Sequence, residues 1–106
     1  MKIRFATLAL IDLEELHDYL PEKSPSGYRN VANAIEDTVL SIPGSLFRGR
    51  RTELDEVWER LVPKYKYIIP YCVRGGTCYI LRVYHPSRPG LNYNATFDVN
   101  EGLPEE

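Results

Sequence analysis

The chain has 106 residues, which is enough for one hydrophobic core but not for two, so a single domain over 1–106 is predicted. Hydrophobic residues make up 43% of the chain and charged residues 26%, values that are typical of a folded domain and exclude a disordered or fibrous class. No apolar run approaches the ~20 residues that span a bilayer, and the first residues lack the apolar core of a signal peptide. A cytoplasmic protein with no membrane contact is therefore expected.

The net charge of −2 conceals an uneven distribution along the chain. Residues 1–44 carry four basic and seven acidic side chains, residues 45–90 carry nine and four, and residues 91–106 carry none and four. Any basic surface must therefore be built by the middle of the chain. Such a surface fits a nucleic acid or an acidic protein partner, and ordinary solvated surface charge explains it equally well.

The first elements in the chain are predicted to be a strand and a helix. Residues 2–6 alternate polar and apolar, as a half-buried strand does. Thr7 is a suitable N-cap, and Pro21 is predicted to end the helix that follows. Asp12 is assigned to the polar positions of this helix, near its positive end. The apolar stripe has spacings of four, three and four residues and consists of Ala9, Leu13, Leu16 and Leu20.

A second helix is predicted to follow after a short link. Pro25 is tolerated in its first turn, and Pro43-Gly44 ends it. The brevity of the link predicts an antiparallel helical hairpin. Each helix has a single apolar stripe, so the hairpin needs a further layer to cover it.

That layer is predicted to be a sheet formed by the second half of the chain. Residues 44–52 are interpreted as a loop, and β-forming residues then concentrate in strands over 57–62, 65–73 and 77–84. Gly75-Gly76 predicts a two-residue hairpin turn in which both residues have positive φ. The order β-α-α-β-β-β indicates an α+β fold of two layers, with the helical hairpin on one face of a mostly antiparallel four-stranded sheet. The tail from about residue 91 is predicted to be less ordered.

The hairpin turn also fixes which residues share a face of the sheet. Residue 73 pairs with 78 and residue 72 with 79, so Cys72 and Cys78 lie on opposite faces and no disulfide is expected between them. In the same register Leu81 and Val83 share the face of Cys72, which is the face that the helices leave open. A bulge near Arg82 would reverse the outer positions. No metal-ligand cluster accompanies the cysteines, and neither a metal nor a cofactor is expected.

Three segments together resemble the ParE/RelE superfamily of type II toxin–antitoxin toxins, also called plasmid stabilisation proteins. The resemblance covers about residues 2–90, most of the chain. It implies a small toxin that is neutralised by a cognate antitoxin whose chain wraps across it. The first segment is Ala9-x-x-Asp12-Leu13-x-x-Leu16-x-x-Tyr19-Leu20 with a second helix ending in Ile42-Pro43. The second is Arg60-Leu61-Val62-Pro63 with Tyr67-Ile68-Ile69-Pro70-Tyr71-x-Val73-x-Gly75, and the third is Tyr79-Ile80-Leu81-Arg82-Val83-Tyr84-His85-x-x-Arg88.

The superfamily divides by target, and the sequence favours the ParE branch, whose members inhibit DNA gyrase. RelE-like members instead cut mRNA on the ribosome, and such an enzyme would use Arg60 and Arg82 on the phosphate and His85 as a base. The Tyr that follows this His in some ribonuclease members is Pro86 here. The sequence pI of about 5.7 also argues against docking on ribosomal RNA. An inactive member that only binds its antitoxin is the third possibility.

The resemblance and the residue types suggest two sets of binding residues. Leu81 and Val83, on the predicted open face, are candidates for contact with the antitoxin, for which an amphipathic helix in an apolar groove and an extended segment along the sheet edge are expected. The alternative for Arg60, Arg82 and Arg88 is a surface ion pair with one of the acids between residues 53 and 59. For Arg50 it is a solvated loop, and for His85 a structural or surface role. The candidates for binding the target are Arg50, Arg60, Arg82, His85 and Arg88.

Overall fold

The computed structural model describes residues 2–23, 25–44, 49–54 and 56–86. In this part of the chain two helices follow the first strand and four strands follow the helices. The elements are β1 (Lys2–Phe5), α1 (Thr7–Lys23), α2 (Pro25–Ser41), β2 (Arg50–Arg51), β3 (Trp58–Leu61), β4 (Ile68–Arg74) and β5 (Thr77–Ile80).

The strands form one mixed sheet in the order β1-β5-β4-β3-β2. β1 runs parallel to β5, and the other neighbours are antiparallel. The predicted α+β class is confirmed, whereas the predicted number of four strands is wrong by one. The additional strand is β2, which lies in the segment interpreted as a loop. Its two arginines have no apolar alternation, so their pairing with β3 leaves no signal in the sequence.

The ends of α2 agree with the prediction, but both ends of α1 differ from it. The N–H of Leu10 donates to the Ala6 carbonyl at 3.1 Å, so Thr7 is the first helical residue and Ala6 precedes the helix. The prediction that Pro21 ends the helix is wrong, because α1 continues to Lys23. A proline near the end of a helix removes only its own hydrogen bond to the preceding turn, and the earlier bonds of the helix do not depend on it.

The main core lies between the helical hairpin and one face of the sheet. The stripes of α1 and α2 pack there on alternate residues of the strands, which is how a two-layer domain buries both of its amphipathic surfaces. A second, smaller cluster lies on the opposite face, where Leu54 and Val57 pack with Cys72, Tyr79 and Leu81. The buried members of the main core are Ala9, Leu16, Val31, Ile35, Val39, Ile42, Val62, Ile69, Tyr71, Cys78, Ile80 and Val83.

The predicted register of the β4–β5 hairpin is confirmed. Val73 pairs with Cys78 and Cys72 with Tyr79, and the turn glycines Gly75 and Gly76 have φ of 56° and 77°. The two cysteines are free, as predicted, and they belong to the clusters on opposite faces. No helix in the described part of the chain is long and apolar enough to cross a membrane.

The buried thiols give a prediction about stability at alkaline pH. Burial raises the pKa of the Cys78 thiol from 9.0 to about 11, and the neighbouring Cys72 adds to this effect. The unfolded chain therefore loses this proton first, so stability is intact below pH 9 and falls by up to about 2–3 kcal/mol as the pH rises through about 11. We expect Cys78→Ala to flatten the pH dependence of urea unfolding between pH 9 and 11. An unchanged slope in this variant would contradict the assignment.

Candidate functional site

The chain that leaves β5 stays beside β4 but contains one extra residue. The N–H of Leu81 donates to the Pro70 carbonyl at 2.8 Å, which continues the hairpin register. Tyr84 and Ile68 then exchange two backbone hydrogen bonds, of 2.8 and 3.1 Å. The two residues between Leu81 and Tyr84 therefore face the single residue between Ile68 and Pro70. This arrangement is a β-bulge, which reverses the alternation of side chains beyond it.

The bulge corrects the prediction that Leu81 and Val83 share the open face. Leu81 does lie with Cys72 on the face opposite the helices. Val83 lies in the main core under the helical hairpin, because the extra residue turns its side chain to the other face. Both residues are 3% exposed in the folded chain, so neither presents a free surface.

The bulge is tied to helix α1 by a buried carboxylate. Arg82 donates from Nε to Asp12 Oδ2 at 2.7 Å and from its terminal nitrogen to Oδ1 at 2.9 Å. The N–H of Val83 donates to the same Oδ2 at 2.9 Å. The Asp12 side chain is 5% exposed and that of Arg82 26% exposed. The hydrogen bonds to Asp12 raise the pKa of the Arg82 guanidinium, so the guanidinium stays charged.

The prediction that Asp12 lies among the polar positions of α1 is wrong. Asp12 follows Ala9 by three residues and precedes Leu16 by four, so it lies on the buried stripe of the helix. A carboxylate on an apolar stripe signals a buried partner, because an unpaired buried charge is too costly to keep. That signal was available in the sequence, whereas the identity of the partner, 70 residues away, was not.

Arg60 and Arg82, the predicted phosphate ligands of a ribonuclease, lie on either side of β4. Arg60 pairs with Ile69, which also lies opposite the bulge, so two strand spacings of roughly 5 Å each separate the two backbones. Their side chains reach different helices. Arg60 donates to the Ser41 hydroxyl at 3.2 Å, at the end of α2, while Arg82 is held by Asp12 on α1.

The remaining predicted target-binding residues are not brought into one cluster. Arg50 donates twice to Glu59 Oε1, at 3.1 and 2.8 Å, a pairing that was not predicted for this residue. The ring of His85 contacts that of Tyr67 edge-on, with centroids 5.2 Å apart. Arg88 lies outside the described residues. Among the described residues no group of three or more His, Cys, Asp or Glu is placed to hold a metal ion.

The connection between β3 and β4, which we call the lysine turn (residues 62–67), was not identified from the sequence. The N–H of Val62 donates to the Tyr67 carbonyl at 2.8 Å, and the N–H of Lys66 donates to the Val62 carbonyl at 3.0 Å. Lys64 and Lys66 have φ of 71° and 61°, a left-handed backbone conformation that residues other than Gly, Asn and Asp rarely adopt. The turn lies at the end of the sheet that also holds Tyr84 and His85.

An apolar groove, which we call the hairpin groove, runs between the two helices and β1. Its volume is about 470 Å³. Leu40 on its rim is 60% exposed, and Glu36 is the only carboxylate among the described residues that line it. Such a groove fits the apolar stripe of a partner helix. The lining residues are Ile3, Phe5, Leu13, Leu16, Tyr28, Ala32, Ile35, Glu36, Val39 and Leu40.

The family of the chain is given by comparison with known proteins. The family described as "ParE toxin of type II toxin-antitoxin system, parDE" matches residues 3–89, which is most of the chain. The chain belongs to the ParE toxin family. The resemblance that the helical and strand motifs indicated is thereby confirmed, together with the preference for the ParE branch.

A solved structure supports the fold of this ParE-type toxin. The structure described as "Chromosomal ParDE TA system from P. aeruginosa" matches it with a TM-score of 0.70 and 20% sequence identity, over 80% of this chain and 95% of that chain. At this identity the match supports the fold alone. No curated protein sequence matches the toxin.

Proposed function

We propose that this ParE-type toxin acts in the cytoplasm by inhibiting DNA gyrase and is neutralised by a cognate antitoxin. The observation that carries the proposal is the family match over residues 3–89. The P. aeruginosa structure, described as a ParDE toxin–antitoxin system, supports an antitoxin as the protein partner.

The hairpin groove is the surface that best suits the antitoxin. An amphipathic helix presents apolar side chains at i, i+3, i+4 and i+7, and a groove between two helices and a strand receives such a row. Glu36 on the groove favours a lysine or arginine on the facing side of that helix. β1 is the last strand on its side of the described sheet, so an extended antitoxin segment has an edge on which to pair.

The state of Arg82 favours gyrase inhibition over RNA cleavage. A ribonuclease needs cations directed at the scissile phosphate, and Arg82 was one of the two predicted ligands, with Arg60. The Nε and one terminal nitrogen of Arg82 are instead bonded to the Asp12 carboxylate inside the protein. Redirecting the guanidinium to a phosphate would leave Asp12 buried without its partner, which is unfavourable.

A supercoiling assay with purified gyrase tests the proposal. We expect the toxin to abolish the supercoiling of relaxed plasmid, and we expect prior addition of the antitoxin encoded beside it to restore activity. Primer extension on cellular transcripts after expression of the toxin should show no new 5′ ends. Cut transcripts with unaffected gyrase would overturn the proposal in favour of the RelE-like ribonuclease. Normal growth, intact transcripts and active gyrase would leave an inactive antitoxin-binding protein.

A further inference from the structure

The lysine turn lies in a long stretch without acidic residues. Between Glu59 and Asp98 the sequence contains no aspartate or glutamate, although it contains six lysines and arginines. Two of these cations, Arg74 and Arg82, are paired with carboxylates from other segments, Glu56 and Asp12. The stretch therefore has a surplus of positive charge that the described ion pairs offset only in part.

Lys64 and Lys66 carry that surplus on the surface. Both are exposed, and no carboxylate in the described part of the chain lies within salt-bridge distance of either one. Both have the left-handed backbone conformation in which Gly or Asn is favoured, so the turn keeps lysines where other residues would be more stable. An unfavourable conformation that is kept in this way points to a function for the side chain.

An aromatic ring lies beside the Lys64 ammonium group, and this ring, Tyr65, and the nearby Tyr67 are half-buried against the main core. The Lys64 ammonium lies 5.5 Å from the centre of the Tyr65 ring, and Tyr67 contacts His85. On the sheet face away from the helices, Leu61 pairs with Ile68, which pairs in turn with Tyr84. Rings beside cations form the kind of surface on which bases or sugars pack while phosphates bind the ammonium groups.

We infer that the lysine turn binds the phosphodiester backbone of a nucleic acid, with the adjacent tyrosine rings against its sugars or bases. A polyanion presents charge along its whole length, so a turn that leads into a strand without carboxylates, β4, suits it better than a single acidic contact does. The one carboxylate of the preceding strand β3, Glu59, is paired with Arg50. The surface ends at α2, where Asp37 lines the cleft beside Arg60 and Pro63. This inference does not depend on gyrase as the target.

The test is a salt titration of nucleic-acid binding by fluorescence anisotropy. The probes are labelled duplex DNA, single-stranded DNA and RNA of one sequence. The probe that the toxin binds most tightly identifies the kind of nucleic acid that supplies the phosphates. Each ammonium that contacts a phosphate contributes about 0.9 to the slope of log K against log salt on duplex DNA and about 0.7 on a single strand. Lys64→Asn/Lys66→Asn is therefore expected to reduce the duplex slope by about 1.8. Each single variant should reduce the duplex slope by about half as much as the double variant does.

Matched variants distinguish an effect of the lysine turn on binding from an effect of the net charge of the protein. Asn tolerates the left-handed conformation, so the double variant should keep its fold, which circular dichroism checks. Lys2→Gln/Arg4→Gln removes two exposed charges from β1, taking the net charge from −2 to −4 just as the double variant does. Lys2 pairs with Thr77 beside the β4–β5 turn, at the opposite end of the sheet. This control and Lys64→Arg/Lys66→Arg should leave the slope unchanged.

Three results would overturn the inference. One is the absence of measurable binding to all three probes at low salt. Another is a double variant whose titration superimposes on that of the β1 control. The third is binding to poly-glutamate of equal length as tight as to the nucleic acids, which would assign the turn to an acidic protein segment. The assay contains no gyrase, so each of these outcomes leaves gyrase inhibition to its own test.

Discussion

Replacing Asp12 by alanine is expected to lower the free energy of unfolding by about 3 kcal/mol, measured by urea denaturation. The substitution leaves the Arg82 guanidinium half-buried without its carboxylate and deprives the Val83 N–H of its acceptor. It also releases the bulge from α1, so the loss combines an ion pair with a backbone hydrogen bond. For a domain of about 100 residues this corresponds to a fall in Tm of roughly 12–24 °C.

Two further variants show whether the carboxylate acts in this way. Asp12→Asn keeps an oxygen that can accept the Val83 N–H and loses only the charge, so a smaller loss of stability is expected than with alanine. Asp12→Leu/Arg82→Met replaces the whole pair by apolar side chains of similar size and should recover much of the stability. A stability change of less than about 1 kcal/mol for Asp12→Ala would contradict the account, since that is the range of an exposed ion pair.

Leu40→Glu is expected to weaken antitoxin binding at least 100-fold, which is about 2.7 kcal/mol, as measured by isothermal titration calorimetry. Leu40 lines the hairpin groove and is 60% exposed in the free toxin, so an antitoxin helix would bury it. The substitution removes an apolar contact and puts a second carboxylate beside Glu36, which a bound helix would have to desolvate. Because the side chain is exposed, the toxin itself should fold as before.

Leu10→Glu is the matched control for this substitution. Leu10 lies on α1 with 53% exposure and does not line the groove, so the same change of residue there should leave the affinity for the antitoxin within about twofold. If both variants lose affinity equally, the effect comes from net charge and not from the groove. If neither does, the antitoxin binds another surface.

The regular parts of the fold were predictable because they depend on local patterns. The apolar stripe of α2 predicted a helix from Pro25, and the two turn glycines fixed the register of β4 and β5 and the opposite faces of Cys72 and Cys78. These features follow from the periods of helix and strand and from the need for positive φ in a tight turn. No contact between distant residues is required to infer them.

The errors lie where distant residues decide the structure. The bulge that moves Val83 into the core is held in place by Asp12, 71 positions earlier in the sequence, which accepts a hydrogen bond from the Val83 N–H. A strand pattern read alone assumes strict alternation, so it placed Val83 with Leu81 on one face. In the candidate site, pairing with Asp12 holds the Arg82 guanidinium against α1, and a partner 70 residues away cannot be read from spacing.

The backbone conformation of the lysine turn also could not be predicted from the sequence. Its sequence, Pro63-Lys64-Tyr65-Lys66, contains no glycine or asparagine, so nothing in it predicts two left-handed residues. The surrounding hydrogen bonds of Val62 impose the conformation. A strained backbone of this kind is visible only in a structure, although the absence of acidic residues around it is plain in the sequence.

The most direct test of the central claim is a gyrase supercoiling assay with wild-type toxin and Leu40→Glu, each with and without the antitoxin. We predict that both proteins inhibit supercoiling and that the antitoxin restores activity only against the wild type. That result would show in one experiment that the toxin inhibits gyrase and that the antitoxin acts through the hairpin groove. Undiminished supercoiling in the presence of either folded toxin would contradict the proposed function, whatever the antitoxin does.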